Sequence, residues 1–154
     1  MNYTDRMESQ TVTTARQQGL NLFRQMMPEL VPEGDDVELR DGGFADELGK
    51  IGLENLFARL WGRDGLGLRD RSLITVAILI ATRAEDELRL HFQIALRNGV
   101  TRTELEELIY HSSGYLGYPA AAAARRLARE VFDDTTVGRA APNGAKARGA
   151  HDGT

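Results

Sequence analysis

The chain has 154 residues, of which 42% are apolar and 27% charged, with a net charge of −4. This is an ordinary balance for one soluble globular domain with a real core, and it offers no electrostatic case for nucleic acid or an anionic membrane. There is no cysteine, which excludes disulfides, thiolate metal sites, iron–sulfur ligation and thiol chemistry.

No stretch approaches the ~18 consecutive apolar residues of a membrane span. The N-terminus, with Asp5, Arg6 and Glu8, lacks the apolar stretch of a signal peptide, so a cytoplasmic protein is expected. Residues 1–12 are polar and expected to fray. From 13 to 27, Leu20, Phe23, Met26 and Met27 recur at helical spacing, and Pro28 closes that helix. Residues 28–43, with two prolines, three glycines and several acids, read as a connecting loop.

Residues 44–61 form an amphipathic helix with Phe44, Leu48, Ile51, Leu53, Leu56, Phe57 and Leu60 on a broad face. Gly62, Gly65 and Gly67 then break it. Their spacing is not that of a phosphate-binding loop, and no strand precedes them, so a tight helix–helix connector is expected. Residues 69–83 are apolar almost all round, from Leu73 through Ala81. That pattern belongs to a central, buried helix. The β-branched content would also suit a strand, but the neighbouring segments are helical and no second strand exists to pair with it.

The next helix covers 85–98, with Leu88, Phe92, Ala95 and Leu96 as its core stripe and Gly99 where a C-terminal cap belongs. Thr101 to Glu104 is a capping box that opens a further helix through Leu105, Leu108, Ile109, Ser112 and Leu116. Pro119 stands at the start of a last helix to Phe132, whose alanine run permits close helix contact within or between subunits. Residues 134–154, rich in Gly, Ala, Pro, Lys and Arg without apolar periodicity, read as a disordered tail. The organisation expected is an N-terminal helix and loop (1–43), a helical core (44–133) and a tail (134–154), in an all-α bundle of about six helices.

Two pairs of groups on these helices carry chemistry. Glu87 and His91 stand four apart, on one helix face. His111 has Glu107 and Tyr115 four residues either side, a second such ladder. From the residues alone, His91 reads as a partly exposed structural histidine. A zinc site from His91, His111 and a carboxylate lacks any HExxH-like spacing.

The blocks 60–73 (LWGRDGLGLRDRSL), 87–91 (ELRLH) with 95–101 (ALRNGVT), and 106–121 (EELIYHSSGYLGYPAA) resemble, in order and spacing, the carboxymuconolactone decarboxylase family. The resemblance covers roughly 44–132; residues 1–43 match that family poorly, and alanine stands near position 122 where it usually has asparagine. The resemblance implies an alkylhydroperoxidase D-like fold assembled as a trimer or hexamer. In the peroxidase branch of that fold a Cys-x-x-Cys pair carries redox chemistry. Here Ala84 and Glu87 occupy those places, and without a thiolate the peroxidase reaction is rejected.

The activity the resemblance implies is loss of CO2 from a carboxylated γ-lactone, without metal or organic cofactor. It makes His91 the proton donor or oxyanion-stabilising donor, with Glu87 fixing its tautomer and keeping it protonated. Arg71 is the candidate carboxylate clamp and Arg69 the alternative, although Arg71 could equally form a surface ion pair with Asp64, Asp70 or Asp86. Trp61, His111 and Tyr115 are candidates for the pocket wall, against ordinary core roles. Two other readings stay open: a related cofactor-free enzyme performing proton transfer or lactone ring chemistry, and a non-catalytic helical oligomer that binds a small acid.

Overall fold

The computed structural model describes residues 3–31 and 42–133. Every regular element among them is helical. Helix α1 (Tyr3–Met26) is followed by a 3-10 turn (Pro28–Leu30). A short α2 (Leu48–Ile51) runs on as a π-helix (Gly52–Trp61). Then come α3 (Leu68–Thr82), α4 (Glu85–Arg97), α5 (Arg102–Leu116) and α6 (Tyr118–Asp133). The expected all-α bundle is the observed one. Most of the acidic connector (32–41) and the C-terminal tail (134–154, with His151) lie outside the described residues.

Helices α3 to α6 form one unit around a shared core. Val76 and Ile80 from α3, Phe92 and Ala95 from α4, and Leu105 from α5 meet Leu127 from α6 there. The alanine run of α6 faces inward, with Ala120, Ala121, Ala124 and Ala128 buried, so its close contact is within the subunit. The helix ends are closed as the sequence suggests. Thr101 and Glu104 form a reciprocal capping box at the start of α5. Past α4, Gly99 takes a φ of +89°; Val100 N–H donates to the Ala95 carbonyl and Gly99 N–H to that of Leu96. This is a Schellman closure, and it tucks the apolar Val100 into the core.

Three expectations are corrected. The polar segment before residue 13 is helical, because α1 begins at Tyr3; no glycine or proline interrupts it before Gly19. Phe44 lies outside any helix and is fully exposed. Helix α3 is not buried all round: Ser72, Val76 and Ile80 face the core, while Ile74 and Ile78 are 50% and 53% exposed. Apolar composition made it look central, but in one protomer only one side of it has neighbours.

The second structural unit is a hairpin of α1 and the π-helix. Its i→i+5 bonding ends at Gly62, whose N–H donates to the Phe57 carbonyl. Leu53 packs with Leu20, Val31, Phe23 and Phe57. At Gly19 the two backbones meet, since a Cβ there would lie 2.2 Å from the Leu53 carbonyl oxygen. Gly19→Ala is therefore expected to cost about 1–3 kcal/mol or more, because backbone cannot move aside as a side-chain tip can. Urea denaturation checks this, and a loss of only a few tenths of a kcal/mol would show that the two backbones do not touch. No described helix is long and apolar enough to cross a membrane.

Candidate active site

The two units meet over α4. Met26, Met27 and Trp61 from the hairpin pack on Ile94, with Leu68 and Leu90 alongside. Arg97, at the end of α4, fastens this contact. Its guanidinium donates to the Met26 carbonyl at 2.9 Å and pairs with Glu29 at 2.8 Å. The consequence is that Trp61, the last residue of the π-helix, lies over His91, with ring centroids 6.0 Å apart and planes 26° from parallel.

His91 is only 8% exposed, so it is not the partly exposed histidine that its residue type suggests. Its Nδ1 is buried without a hydrogen-bond partner. Burial lowers its pKa from 6.5 to about 4, because an imidazolium removed from water loses its hydration. The ring is therefore neutral at physiological pH. Buried polar atoms in proteins are nearly always paired, with protein groups or with water, so this nitrogen is open to a water or to a bound group. Among the described residues one other buried side-chain atom, Oε1 of Glu54 on the π-helix, is likewise unpartnered.

Glu87 does not contact His91 as expected. It is exposed, and no hydrogen bond or ion pair joins it to His91. The lowered pKa of His91 also runs opposite to a ring kept protonated by a carboxylate. His111 and Tyr115 do meet, with ring centroids 5.0 Å apart, but on the surface of α5, where both are exposed. They do not pack with Trp61 and His91 in the protomer. Among the described residues no three His, Cys, Asp or Glu side chains are grouped to hold a metal ion.

The two arginines are engaged within the fold. Arg71 makes no ion pair with Asp64, Asp70 or Asp86. Its Nε donates to the Leu66 carbonyl and its Nη2 to that of Arg63, both at 3.0 Å. It thus fastens the glycine-rich connector that follows Trp61. Nη1 keeps both its hydrogens for another acceptor. Arg69 pairs with Asp70 at 3.2 Å and with Glu104, the capping-box residue of α5. Of the two, Arg71 retains the donors a carboxylate needs.

Sequence reasoning missed the stacking of Trp61 on His91, the orphaned Glu54 oxygen, and a polar link that holds α3 to α4. In that link Asn98 Nδ2 donates to Ser72 Oγ at 3.0 Å, and Ser72 donates to the Leu68 carbonyl. A signal for the link was present, since serine in the first turns of an apolar helix needs a buried partner. For the stacking there was none, because Trp61 and His91 stand 30 residues apart.

These features define an all-α protein with a buried histidine stacked beneath a tryptophan and no thiol. The sequence profile of the carboxymuconolactone decarboxylase family matches residues 47–130, and the chain belongs to that family. It is 50% identical to a 4-carboxymuconolactone decarboxylase of Acinetobacter baylyi over 81 residues, 53% of this chain and 60% of the relative. To a nitrosuccinic acid decarboxylase of Metarhizium robertsii it is 36% identical over 75 residues, 49% of this chain and 52% of the relative. An uncharacterized 15.0 kDa protein of Paracoccus denitrificans is 33% identical over 82 residues, 52% of this chain and 61% of the relative. The chain thus spans between about half and three fifths of the length of these curated relatives.

Proposed function

We propose that this protein is a cofactor-independent, cytoplasmic decarboxylase that removes CO2 from a carboxylated γ-lactone such as 4-carboxymuconolactone, giving an enol-lactone in aromatic catabolism. The observation that carries the reading is the neutral imidazole of His91, buried against Trp61 with Nδ1 unpaired. Membership of the family and the names of the two decarboxylase relatives support it.

The chemistry follows from where electrons and protons must go. Breaking the C–CO2 bond leaves an electron pair that the conjugated lactone carbonyl accepts as a dienolate. A proton must then be delivered to carbon. A free His91 with a pKa of about 4 carries none at neutral pH. A bound substrate carboxylate beside the ring would raise that value, because an opposite charge favours the imidazolium. His91 would take up a solvent proton as substrate binds and release it to carbon once CO2 departs, returning to its neutral state. Arg71, through the hydrogens left on its guanidinium, is the candidate for holding a second carboxylate. Glu87, exposed on the same helix, is assigned no step.

A second substrate is favoured by one specific relative, the nitrosuccinic acid decarboxylase. There the electron pair would pass to a nitro group instead of a lactone carbonyl, with the same demand for one proton afterwards. Offering the purified protein each substrate and following CO2 release separates the two. Turnover of the lactone alone supports the first reading, turnover of nitrosuccinic acid alone supports the second, and turnover of neither removes both.

The working form is proposed to be a homo-oligomer. Ile74 and Ile78 on α3, with Leu56 and Leu60 on the π-helix, are half exposed apolar side chains that a solitary protomer leaves in water. Sedimentation is expected to give a mass at least twice that of the chain; a monomer at assay concentration would contradict this.

A further inference from the structure

We propose that the cleft between α5 and α6 is a second binding site, for a small aromatic or otherwise apolar carboxylate. The cleft encloses about 330 Å³ and shares no residue with the Trp61–His91 pair. That volume suits a compact small molecule. Its floor is apolar, built from Leu105, Ile109 and Phe132, and three guanidiniums, those of Arg102, Arg125 and Arg129, stand around it.

Two of these arginines have no carboxylate partner among the described residues, and the third has a single long one. Elsewhere on α4 to α6, Arg89 pairs with Asp86 and Glu130, Arg97 with Glu29, and Arg126 with Glu85 and Glu130. Arg102, by contrast, lies with its guanidinium 5.0 Å from the centre of the Phe132 ring and makes no ion pair among the described residues. Arg125 makes no hydrogen bond or ion pair among them, although it is near enough for its charge to be felt at the Tyr110 hydroxyl. Arg129 has only Asp133, at 3.7 Å. In a chain with 23 acidic and 19 basic residues, two unpaired cations and a third held only at 3.7 Å around one apolar cleft suit an anion that comes from outside.

The one carboxylate on the rim is already occupied. Glu106 accepts a hydrogen bond from the Tyr110 hydroxyl at 2.7 Å, which turns its charge toward the phenol. A carboxylate ligand would therefore meet guanidinium forks, which bind it through two parallel hydrogen bonds. Its apolar body would cover Ile109 and Phe132. Inorganic anions satisfy the first demand and not the second, and neutral aromatics the second and not the first.

The test is a titration of the full-length protein with benzoate, benzyl alcohol and inorganic phosphate, followed by methyl and side-chain NMR. Benzoate is expected to bind saturably and to shift the Ile109 methyl resonances, leaving the Trp61 indole unmoved. Arg125→Ala should weaken it roughly tenfold, while Glu106→Gln should tighten it by removing a like charge. Both substitutions are at exposed positions, and an unchanged helical circular dichroism signal confirms the fold. The proposal is overturned if phosphate or benzyl alcohol binds as well as benzoate, or if Arg125→Ala leaves binding unaltered. It is equally overturned if no ligand reaches Ile109 because a second copy of the chain covers the cleft. A failure of the His91 chemistry would leave all of these outcomes untouched.

Discussion

His91→Leu is expected to reduce CO2 release by roughly two to four orders of magnitude, the range typical of a lost general acid or base, while stability at neutral pH is held or raised. The two effects come from one arrangement. His91 is buried in the folded chain with Nδ1 unpaired, and an unpaired buried polar atom costs about 1–3 kcal/mol of desolvation. Leucine has a similar volume and no polar atom, so it fills the space against Trp61 without that cost. A histidine retained for structure would behave differently, since its replacement would lose stability and leave turnover near wild type. Thermal denaturation and CO2 release on the same preparation distinguish the cases.

The second large effect is on stability against pH. His91 has its pKa lowered from 6.5 to about 4 by burial. Between those values the unfolded chain binds a proton that the folded chain does not, so stability rises with pH across the window. The contribution is complete above about pH 6.5, declines below it, and is lost once the pH has fallen past about 4. Its full size is about 3 kcal/mol, from the shift and the free energy per pKa unit. Carboxylates also titrate in acid, among them Glu29, which a hydrogen bond from Arg97 holds below its ordinary range. The comparison is therefore between wild type and His91→Leu, by urea midpoints from about pH 7 down to about pH 4. Wild type should lose about 3 kcal/mol more than the variant. Parallel curves would show that His91 is solvated. A reversed difference would show that it is held protonated, as a contact with Glu87 would require.

Much of this fold was legible in the sequence. The bounds of α3, α4 and α5 follow from apolar spacing and end signals to within a residue or two, and the capping box at Thr101 and the glycine closure at Gly99 are local devices with local signatures. The site was legible in part. His91 and Arg71 were singled out with the help of the family's motifs, yet their surroundings were not readable. Residues four apart on a helix differ by about 40° in direction. That offset, with the rise of a full turn, suffices to place His91 beneath the hairpin and Glu87 in water. Whether α3 is central could not be read either. Ile74 and Ile78 are as apolar as Val76 and Ile80, and composition records that a surface avoids water without recording what covers it. The π-helix has no local signature at all, and neither has the close approach of its Leu53 backbone to Gly19.

The most direct test of the central claim is CO2 release from 4-carboxymuconolactone by the full-length protein and by His91→Leu, without added metal or cofactor. The prediction is equal amounts of CO2 and enol-lactone from the wild type and almost none from the folded variant. No CO2 from folded wild type present in equimolar amount with the lactone, or undiminished release by the variant, would contradict it.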